Sequence, residues 1–302
     1  MKTFTTALKT KIQSLIKRRL KRVGICSSPE CGQHPTIRQK LWRPTPTVLL
    51  HGLAFCFPEC LERELRRRLQ SVSSAPRREA MNSCRVPLGL LMLSRGDLTS
   101  QQLQQALQVQ KKTGTGKIGE WLQQLGYARD VTVAAALASQ WSCPVIKTVP
   151  TGVGSCTIPF YLLKHFGMAP VHFSSDGRKL HMAFADKIEH RALFAIEQMM
   201  KCKTEACLTT RSEIEAALVR MEDQNAGREK LFEGISDPEE RTQIISSYIS
   251  TLHATEVRIA SCGELLWARV ACEQLCENLL FSRSAGRILQ FVSKKLPETI
   301  SN

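Results

Sequence analysis

Two stretches of 24 residues decide the fold of this chain: "PLGLLMLSRGDLTSQQLQQALQVQ" at residues 87–110 and "KIGEWLQQLGYARDVTVAAALASQ" at residues 117–140. Aligned without gaps, both have a glycine at the third and tenth positions, a glutamine at the last position and apolar residues at shared positions between them. Such self-similarity predicts two copies of one supersecondary unit. Each copy is predicted as a short helix that stops at a left-handed glycine, a turn, and a longer amphipathic helix.

The start of the longer helix differs between the two copies. In the first copy, Thr99 and Gln102 have the spacing of a capping box. In the second copy, Arg129 takes the cap position, so Asp130 must compensate or the helix begins with a weaker cap. The predicted architecture is the same in either case.

The glycine-rich spacer before the second copy resembles a phosphate-binding loop at first sight. Residues 112–118 are "KTGTGKI", but a loop of the G-x-x-x-x-G-K-[ST] type needs a further glycine upstream and a hydroxyl after the lysine. Those places hold Lys111 and Ile118. HExxH and GxSxG motifs are also absent from the sequence. The sequence therefore gives no signal for a nucleotide triphosphatase, a metalloprotease or an α/β-hydrolase.

The tandem pattern resembles the N-terminal domain of type II secretion and type IV pilus assembly ATPases, also called the MshEN domain. That family's unit runs Arg-Leu-Gly, an apolar residue, Gly, then Leu, Leu and a closing Gln, and both copies match it except at the leading arginines. The segments that follow fit a strand, a helix, a hairpin, a helix, a strand and a last helix: 142–146, 158–167, 169–186, 189–200, 205–210 and 210–221. The resemblance covers about residues 85–222. It implies an α+β fold in which tandem helix-turn-helix repeats precede a small α/β sandwich.

The same resemblance implies a ligand, because family members with the full motif bind cyclic di-GMP. The ligand-binding positions that it implies in this sequence are Leu88, Gly89, Gln110, Lys117, Ile118, Gly119 and Gln140. Pro87 and Lys117 stand where the family has its leading arginines. Lysine keeps the charge but lacks the planar fork that pairs with a guanine edge, and proline keeps neither. A protein-interaction domain that has lost the ligand is therefore the alternative.

Residues 1–85 carry most of the formal net charge of +15, with 18 Lys and Arg against 5 Asp and Glu. An anionic partner is therefore expected in this quarter of the chain. Within it, residues 1–23 are predicted as a basic amphipathic helix with one apolar stripe. Such a helix either lies on an anionic membrane surface or docks on a neighbouring domain or protein partner, with its basic face in solvent.

Residues 24–75 contain two close cysteine pairs: Cys26 with Cys31, and Cys56 with Cys60. Four thiolates at such spacing can converge tetrahedrally on Zn²⁺, and a small module with few apolar residues needs a staple of this kind. The arrangement resembles a treble-clef zinc finger, with the hairpin "TVLLHGLAFC" between a knuckle and a helix. A site with four protein ligands would be structural. His34 and His51 are substitute ligands, and four unmetallated thiols are the alternative.

Residues 236–283 are predicted to form a small α+β domain, in which a helix precedes a hairpin. Asp237 can cap this helix and Pro238 fits its first turn. The stretches "TEVRIAS", "ELLWARVACEQ" and "CENLLFS" are predicted as strands. This pattern resembles the segment before the catalytic core of the same ATPases. The resemblance implies that the chain keeps the regulatory N-terminal part of such an ATPase without the part that hydrolyses ATP. Linkers are expected at 76–84 and 223–235, and a tail or helix at 284–302.

These features favour a non-catalytic adaptor or regulatory protein that acts through contacts with secretion or pilus assembly proteins. The alternative is a cyclic di-GMP effector, in which ligand binding across the two copies changes how the attached modules dock. A third hypothesis is a nucleic-acid-binding regulator that uses the basic zinc module, although no recognition-helix or stacking motif accompanies its charge. Without a secretory signal or a membrane-spanning run, we expect a cytoplasmic protein, located at the inner face of the membrane if residues 1–23 bind lipid.

Overall fold

The computed structural model describes residues 26–31, 47–74, 85–150, 158–174, 178–225, 229–273 and 275–282. The predictions for residues 1–23, His34, the linker 76–84 and the tail 284–302 concern residues outside these ranges. Two compact units make up the chain. The terminal unit comprises residues up to Ala75 together with 230–260 and 265–283, and the central unit comprises mainly residues 76–229. None of the helices in the described ranges has both the length and the hydropathy of a bilayer-spanning segment.

Within the described residues the fold is α+β, as predicted, with nine helices and two sheets. The helices are α1 Glu59–Ser74, α2 Leu88–Ser94, α3 Ser100–Thr113, α4 Ile118–Gln124, α5 Asp130–Trp141, α6 Phe160–Phe166, α7 His190–Met200, α8 Arg211–Asn225 and α9 Pro238–Leu252. The strands are β1 Thr47–Leu50, β2 Leu53–Cys56, β3 Met168–Phe173, β4 Lys179–Phe184, β5 Lys203–Leu208, β6 Glu229–Glu233, β7 Glu256–Cys262, β8 Leu265–Ala271 and β9 Cys276–Ser282.

The terminal unit is built on a six-stranded sheet in the order β2-β1-β7-β8-β9-β6. β1 pairs antiparallel with β2 and parallel with β7, where Leu49 lies opposite Glu256. Residues 24–75 and 236–283 are predicted from the sequence as separate domains, whereas strands from both ranges lie in one sheet of the structure. The physical reason is that a hairpin of two four-residue strands cannot bury its apolar face alone, and its open edge pairs with β7.

Helices α1 and α9 pack against each other and share one hydrophobic core with this sheet. On α1, Leu61, Leu65 and Leu69 recur every fourth residue and are fully buried. Helix α9 begins as the sequence predicts. The Asp237 carboxylate accepts a hydrogen bond from the backbone N–H of Glu240 at 3.3 Å, and a proline occupies the first turn.

The segment 223–235, expected as a linker, contains more regular structure than its composition indicates. Helix α8 continues to Asn225, and β6 adds an edge strand beside β9. Phe232 explains the strand, because its ring stacks on that of Phe281 with centroids 5.0 Å apart and packs against the core of the terminal unit. The charged residues Glu229, Lys230 and Glu233 around Leu231 and Phe232 hide this apolar anchor in the sequence.

In the central unit, α2 and α3 belong to the first copy, and α4 and α5 to the second. Gly96 and Gly126 follow the short helices with φ values of +76° and +70°, the left-handed conformation that the sequence predicts. The capping box is confirmed: Thr99 Oγ1 accepts from the Gln102 N–H at 3.3 Å, and Gln102 Oε1 accepts from the Thr99 N–H at 2.9 Å. Within the described residues, the Arg129 side chain makes no hydrogen bond that caps α5. The N-terminus of α5 is therefore capped less well than that of α3.

The rest of the central unit is a three-stranded sheet in the order β3-β4-β5, against which α6, α7 and α8 pack. β3 and β4 form the predicted hairpin, and β5 joins β4 in parallel after α7. Residues 142–146, predicted as a strand, form only an isolated parallel β-bridge, in which Val145 pairs with Leu208 of β5. Pro144 has no N–H to donate, which limits pairing on that side of β5.

The left-handed helix stop at Gly96 can be tested by substitution. Nothing lies within 4 Å of the position that a Cβ would take on Gly96, so the cost of a side chain is conformational. We expect Gly96→Ala to lower the free energy of unfolding by roughly 1–2 kcal/mol, and Gly96→Asn by less, because asparagine tolerates positive φ. Urea unfolding of both variants measures the difference. Equal losses for the two substitutions would contradict this explanation.

Candidate functional site

A cavity of about 270 Å³ opens in the central unit where the second copy meets the sheet. Its apolar lining consists mainly of Leu88, Ile118, Val133, Ala134 and Leu137. Its polar and aromatic lining consists of Lys117, Glu120, Gln123, Asp130, Gln140, Trp141, Asp186, Lys187 and Arg211. An apolar surface with a few convergent polar groups is typical of a site for a small ligand.

Four chain segments bring the polar lining of this cavity together, and one of them is α5 with Asp130, Gln140 and Trp141. Lys117 immediately precedes α4, where its backbone N–H donates to the Glu120 carboxylate at 3.0 Å. Asp186 follows the carboxyl end of β4, and Arg211 is the first residue of α8. Side chains that are far apart in the sequence therefore face one cavity.

Asp186 is the centre of the charges in this cavity. Its Oδ2 accepts from Lys117 Nζ at 3.0 Å and from Arg211 Nη2 at 2.6 Å. Arg211 Nη2 also lies 2.6 Å from Glu120 Oε1. Burial alone would lower the pKa of Arg211, but the carboxylates of Asp186 and Glu120 raise it above its usual value, so the guanidinium stays charged.

The charged lining of the cavity is balanced. Its three cations are Lys117, Lys187 and Arg211, and its three carboxylates are those of Glu120, Asp130 and Asp186. Net charge at the cavity therefore gives no long-range attraction for an anion. The carboxylates can accept hydrogen bonds from a ligand N–H edge, and the cations can donate to ligand oxygens, once a ligand displaces the internal ion pairs. This chemistry fits a ligand that has both donors and acceptors.

The structure places most of the ligand-binding positions implied by the resemblance in the cavity lining: Leu88, Lys117, Ile118, Gly119 and Gln140. Two others, Gly89 and Gln110, are not among the residues that line this cavity in the described part of the chain. The cavity is therefore formed chiefly by the second copy, with one contribution from the leading segment of the first.

The two closing glutamines make reciprocal contacts between the copies. Gln110 Nε2 donates to the carbonyl oxygen of Gly116 at 2.9 Å, immediately before the second copy. Gln140 Nε2 donates to the carbonyl oxygen of Val86 at 2.6 Å, immediately before the first copy. The glutamine that ends each copy thus holds the backbone that leads into the other. This structural role is not predicted from the sequence, and it occupies the side-chain amide donor of each glutamine.

Gly89 and Gly119 have a packing role inside their copies. A Cβ at Gly89 would lie 2.5 Å from Leu103 Cδ1, and one at Gly119 would lie 3.0 Å from Val133 Cγ1. These are corresponding contacts, each between the short helix and the long helix of one copy. Both glycines therefore allow paired helices to approach closely, whatever the cavity binds.

Trp141, Asp186 and Arg211 are cavity residues that the sequence analysis did not identify. Trp141 directly follows the closing glutamine of the second copy, and the guanidinium of Arg85 lies over its ring at 3.2 Å from the centroid. An aromatic residue next to a predicted ligand position was a signal present in the sequence. Asp186 and Arg211 carried no such signal, because only packing of the sheet against the helices brings them to the second copy.

A second candidate site lies in the terminal unit, where four cysteines meet: Cys26, Cys31, Cys56 and Cys60. Their Sγ atoms all lie within 4.8 Å of one another, and those of Cys31 and Cys56 are 3.9 Å apart. Four sulfurs in a tetrahedron, each about 2.3 Å from one Zn²⁺, would be about 3.8 Å apart. Cys56 ends β2 and Cys60 lies in the first turn of α1. The arrangement fits a tetrahedral thiolate site.

The surroundings of the four sulfurs change the pKa values of the thiols, which must lose their protons to bind a cation. Burial, with the neighbouring cysteines, raises the pKa of Cys56 to about 12 and that of Cys60 to about 11. At Cys26 burial also raises the pKa, but hydrogen bonds from backbone N–H groups, including that of Cys56, lower it overall. A divalent cation would deprotonate these thiols outright. His51 does not join them, because its Nε2 accepts from the Ile259 N–H at 3.1 Å.

No protein-family profile and no curated protein sequence matches the chain. Among solved structures, the chain is similar to MshE with cdg at 26% identity, over 45% of this chain and 99% of that chain, with a TM-score of 0.38. It is also similar to the N-terminal domain of XpsE, at 22% identity over 44% of this chain and 92% of that chain, with a TM-score of 0.34. A further structure of that domain matches at 25% identity, over 43% and 90%, with a TM-score of 0.27. These structures represent the kind of domain that the sequence resembles.

Double-mutant cycles can separate the two ion pairs of Asp186. The Lys117 side chain is 60% exposed, whereas that of Arg211 is 27% exposed. We expect a coupling energy of about 0–1 kcal/mol between Asp186 and Lys117, and a larger one of about 1–3 kcal/mol between Asp186 and Arg211. Urea unfolding of Asp186→Asn, Lys117→Met, Arg211→Met and the two double variants measures both. Equal couplings would contradict the view that exposure sets the strength of these pairs.

Proposed function

We propose that the chain is a non-catalytic regulatory protein that acts as an adaptor in a secretion or pilus assembly, and that its MshEN-like domain binds cyclic di-GMP in the cavity beside Lys117. The observation that carries the ligand proposal is the cavity lining, in which both copies meet charged residues from the sheet half of the domain. We place the protein in the cytoplasm, where secretion or pilus assembly proteins would be its partners.

A guanine base matches the chemical groups of the cavity. Its N1–H and N2–H₂ edge can donate to a carboxylate such as that of Glu120 or Asp186, and its O6 and N7 acceptors suit Arg211 or Lys117. The apolar lining supplies a surface for the ring, with Trp141 as an aromatic neighbour. Ligand binding would exchange the internal ion pairs of Asp186 for bonds to the ligand. Because those ion pairs must first break, we expect moderate affinity.

Calorimetric titration with cyclic di-GMP tests the ligand proposal. We expect binding to be weakened about tenfold by Gln140→Ala, which removes an amide, and by Glu120→Gln, which removes a charged acceptor. Lys117→Arg should tighten binding, because it restores the planar fork. Gln110→Ala should have the smaller effect, because Gln110 lies outside the cavity lining. Lys111→Arg, at the exposed end of α3, is the matched control for the lysine substitution.

The titration and the adaptor role have separate negative outcomes. Absence of heat with high micromolar ligand would contradict cyclic di-GMP binding and leave an adaptor that has lost the ligand. The adaptor role is tested by affinity purification of the full chain and mass spectrometry of the proteins that accompany it. Recovery of no secretion or pilus assembly protein would contradict that role.

We also propose that the four cysteines hold one structural Zn²⁺. Four protein thiolates leave no open coordination position for a substrate, so the metal would stabilise the fold and take no part in chemistry. The spacing of the sulfurs carries this proposal. The N–H···S hydrogen bond from Cys56 to the Cys26 sulfur, at 3.5 Å, supports a thiolate at that position.

Elemental analysis of the purified full chain should find about one zinc per molecule. The double substitution Cys56→Ser/Cys60→Ser removes one ligand pair and is expected to abolish zinc binding and to lower thermal stability. Cys276→Ser, which changes a partly buried thiol of β9 outside the cluster, is the matched control and should retain zinc. Full zinc occupancy in the double variant would contradict this ligand set.

The arginines of α1 do not favour the nucleic-acid hypothesis. Four of them form ion pairs with carboxylates of the same unit: Arg63 with Glu30, Arg66 with Glu239, and Arg67 and Arg68 with Glu64. Their charge is therefore partly neutralised within the chain, which leaves less to attract phosphates. Membrane contact through residues 1–23 stays a prediction, because these residues lie outside the described ranges.

A further inference from the structure

The cysteine cluster belongs to a hydrophobic core that also contains residues from a distant part of the chain. Cys31, Cys56 and Cys60 are 4%, 9% and 6% exposed, and they belong to one hydrophobic cluster with residues of α9 and the strands β7 to β9. The cluster joins the described residues before Ala75 to residues after 230, with the central unit between them in the sequence. The candidate metal ligands are therefore part of the core of the whole terminal unit.

Backbone pairing between the two ends of the terminal unit is sparse. β1 and β7 share two residue pairs, Leu49 with Glu256 and Leu50 with Val257, whereas β8 and β9 share seven. Each of β1 and β2 contains four residues. A two-stranded hairpin of this length is at best marginally stable in water. Strand pairing alone is therefore a weak link between the two ends.

The stronger link is α1, which begins at the cysteine cluster. Cys60 is the second residue of this helix, and the fully buried Leu61 and Leu65 follow it. The core around these leucines includes Ile245 and Ile249 of α9, and the two helices contact each other directly. Whatever holds the first turn of α1 in place therefore also holds the apolar surface that covers α9.

We infer that the metal centre controls assembly of the entire terminal unit, including its C-terminal helix and strands. The inference rests on the proposed zinc site. Zinc would join the Cys26–Cys31 segment to the end of β2 and to the first turn of α1. Loss of zinc frees the β1–β2 hairpin and α1, and the apolar faces of α9, β7 and β8 lose their cover. Because a structural metal contributes its binding free energy to folding, the state of the metal decides whether this surface is hidden.

Hydrogen exchange of the full chain, measured by mass spectrometry, tests the inference. Zinc-loaded protein is compared with protein treated with a zinc chelator and with treated protein to which zinc is returned. After chelation we expect exchange to become more than about tenfold faster at residues 242–252 and 256–271, as well as around the cysteines. Residues 190–221 of the central unit are the internal control and should keep their protection. Returning zinc should restore the slow exchange.

Two variants separate the metal from the helix that transmits its effect. Cys26→Ser removes the least buried of the four cysteines and should increase exchange in α9 before any chelator is added. Leu65→Ala keeps all four cysteines but weakens the packing of α1 on α9, so it should retain zinc and still exchange faster at residues 242–252. Cys276→Ser, the control, should behave as the unchanged chain.

The outcomes distinguish this inference from the metal proposal on which it rests. Absence of zinc from the purified chain would overturn the metal site itself. Zinc in the purified chain, with faster exchange confined to residues 26–60 after chelation, would overturn the coupling and leave the metal site standing. Unchanged exchange of α9 in zinc-loaded Leu65→Ala protein would overturn the role of α1 as the link.

Discussion

Close packing between the short and the long helix of each copy is the constraint on which the central unit depends. Gly89 meets Leu103, and Gly119 meets Val133, at distances that leave little room for a Cβ. With the helices this close, the glutamine that closes each copy reaches the backbone that leads into the other. The two copies therefore hold each other, and the start of the second copy is fixed at the edge of the cavity.

The chemistry of the cavity arises where the second copy meets the sheet. Asp186 satisfies both Lys117 and Arg211, so the chain itself supplies the anion that its cations would otherwise attract. A ligand with donors as well as acceptors can replace these pairs, whereas a simple anion would leave the displaced carboxylate without compensation. The ion pairs of Asp186 form within the chain, and a ligand would have to offer both donors and acceptors to replace them.

The terminal unit is formed from residues near both ends of the chain, which share one sheet and one hydrophobic core. The N-terminal end contributes a hairpin of two four-residue strands, one helix and the cysteines, and the C-terminal end contributes most of the sheet. Their common core makes the cysteine cluster relevant to strands far from it in sequence. Local composition divides this region into a zinc module and a separate α+β domain, because a parallel pairing between β1 and β7 has no local signature.

The sequence by itself determined the features that depend on residues close together in the chain. These include the capping box at Thr99, the left-handed stops at Gly96 and Gly126, and most helices and strands, because local hydrogen bonds and apolar periodicity encode them. Only the tertiary structure decided that Asp186 and Arg211 complete the cavity, and that its charges balance. Those features rest on contacts between segments distant in sequence, and the free energy of such contacts exists only once the segments have packed together.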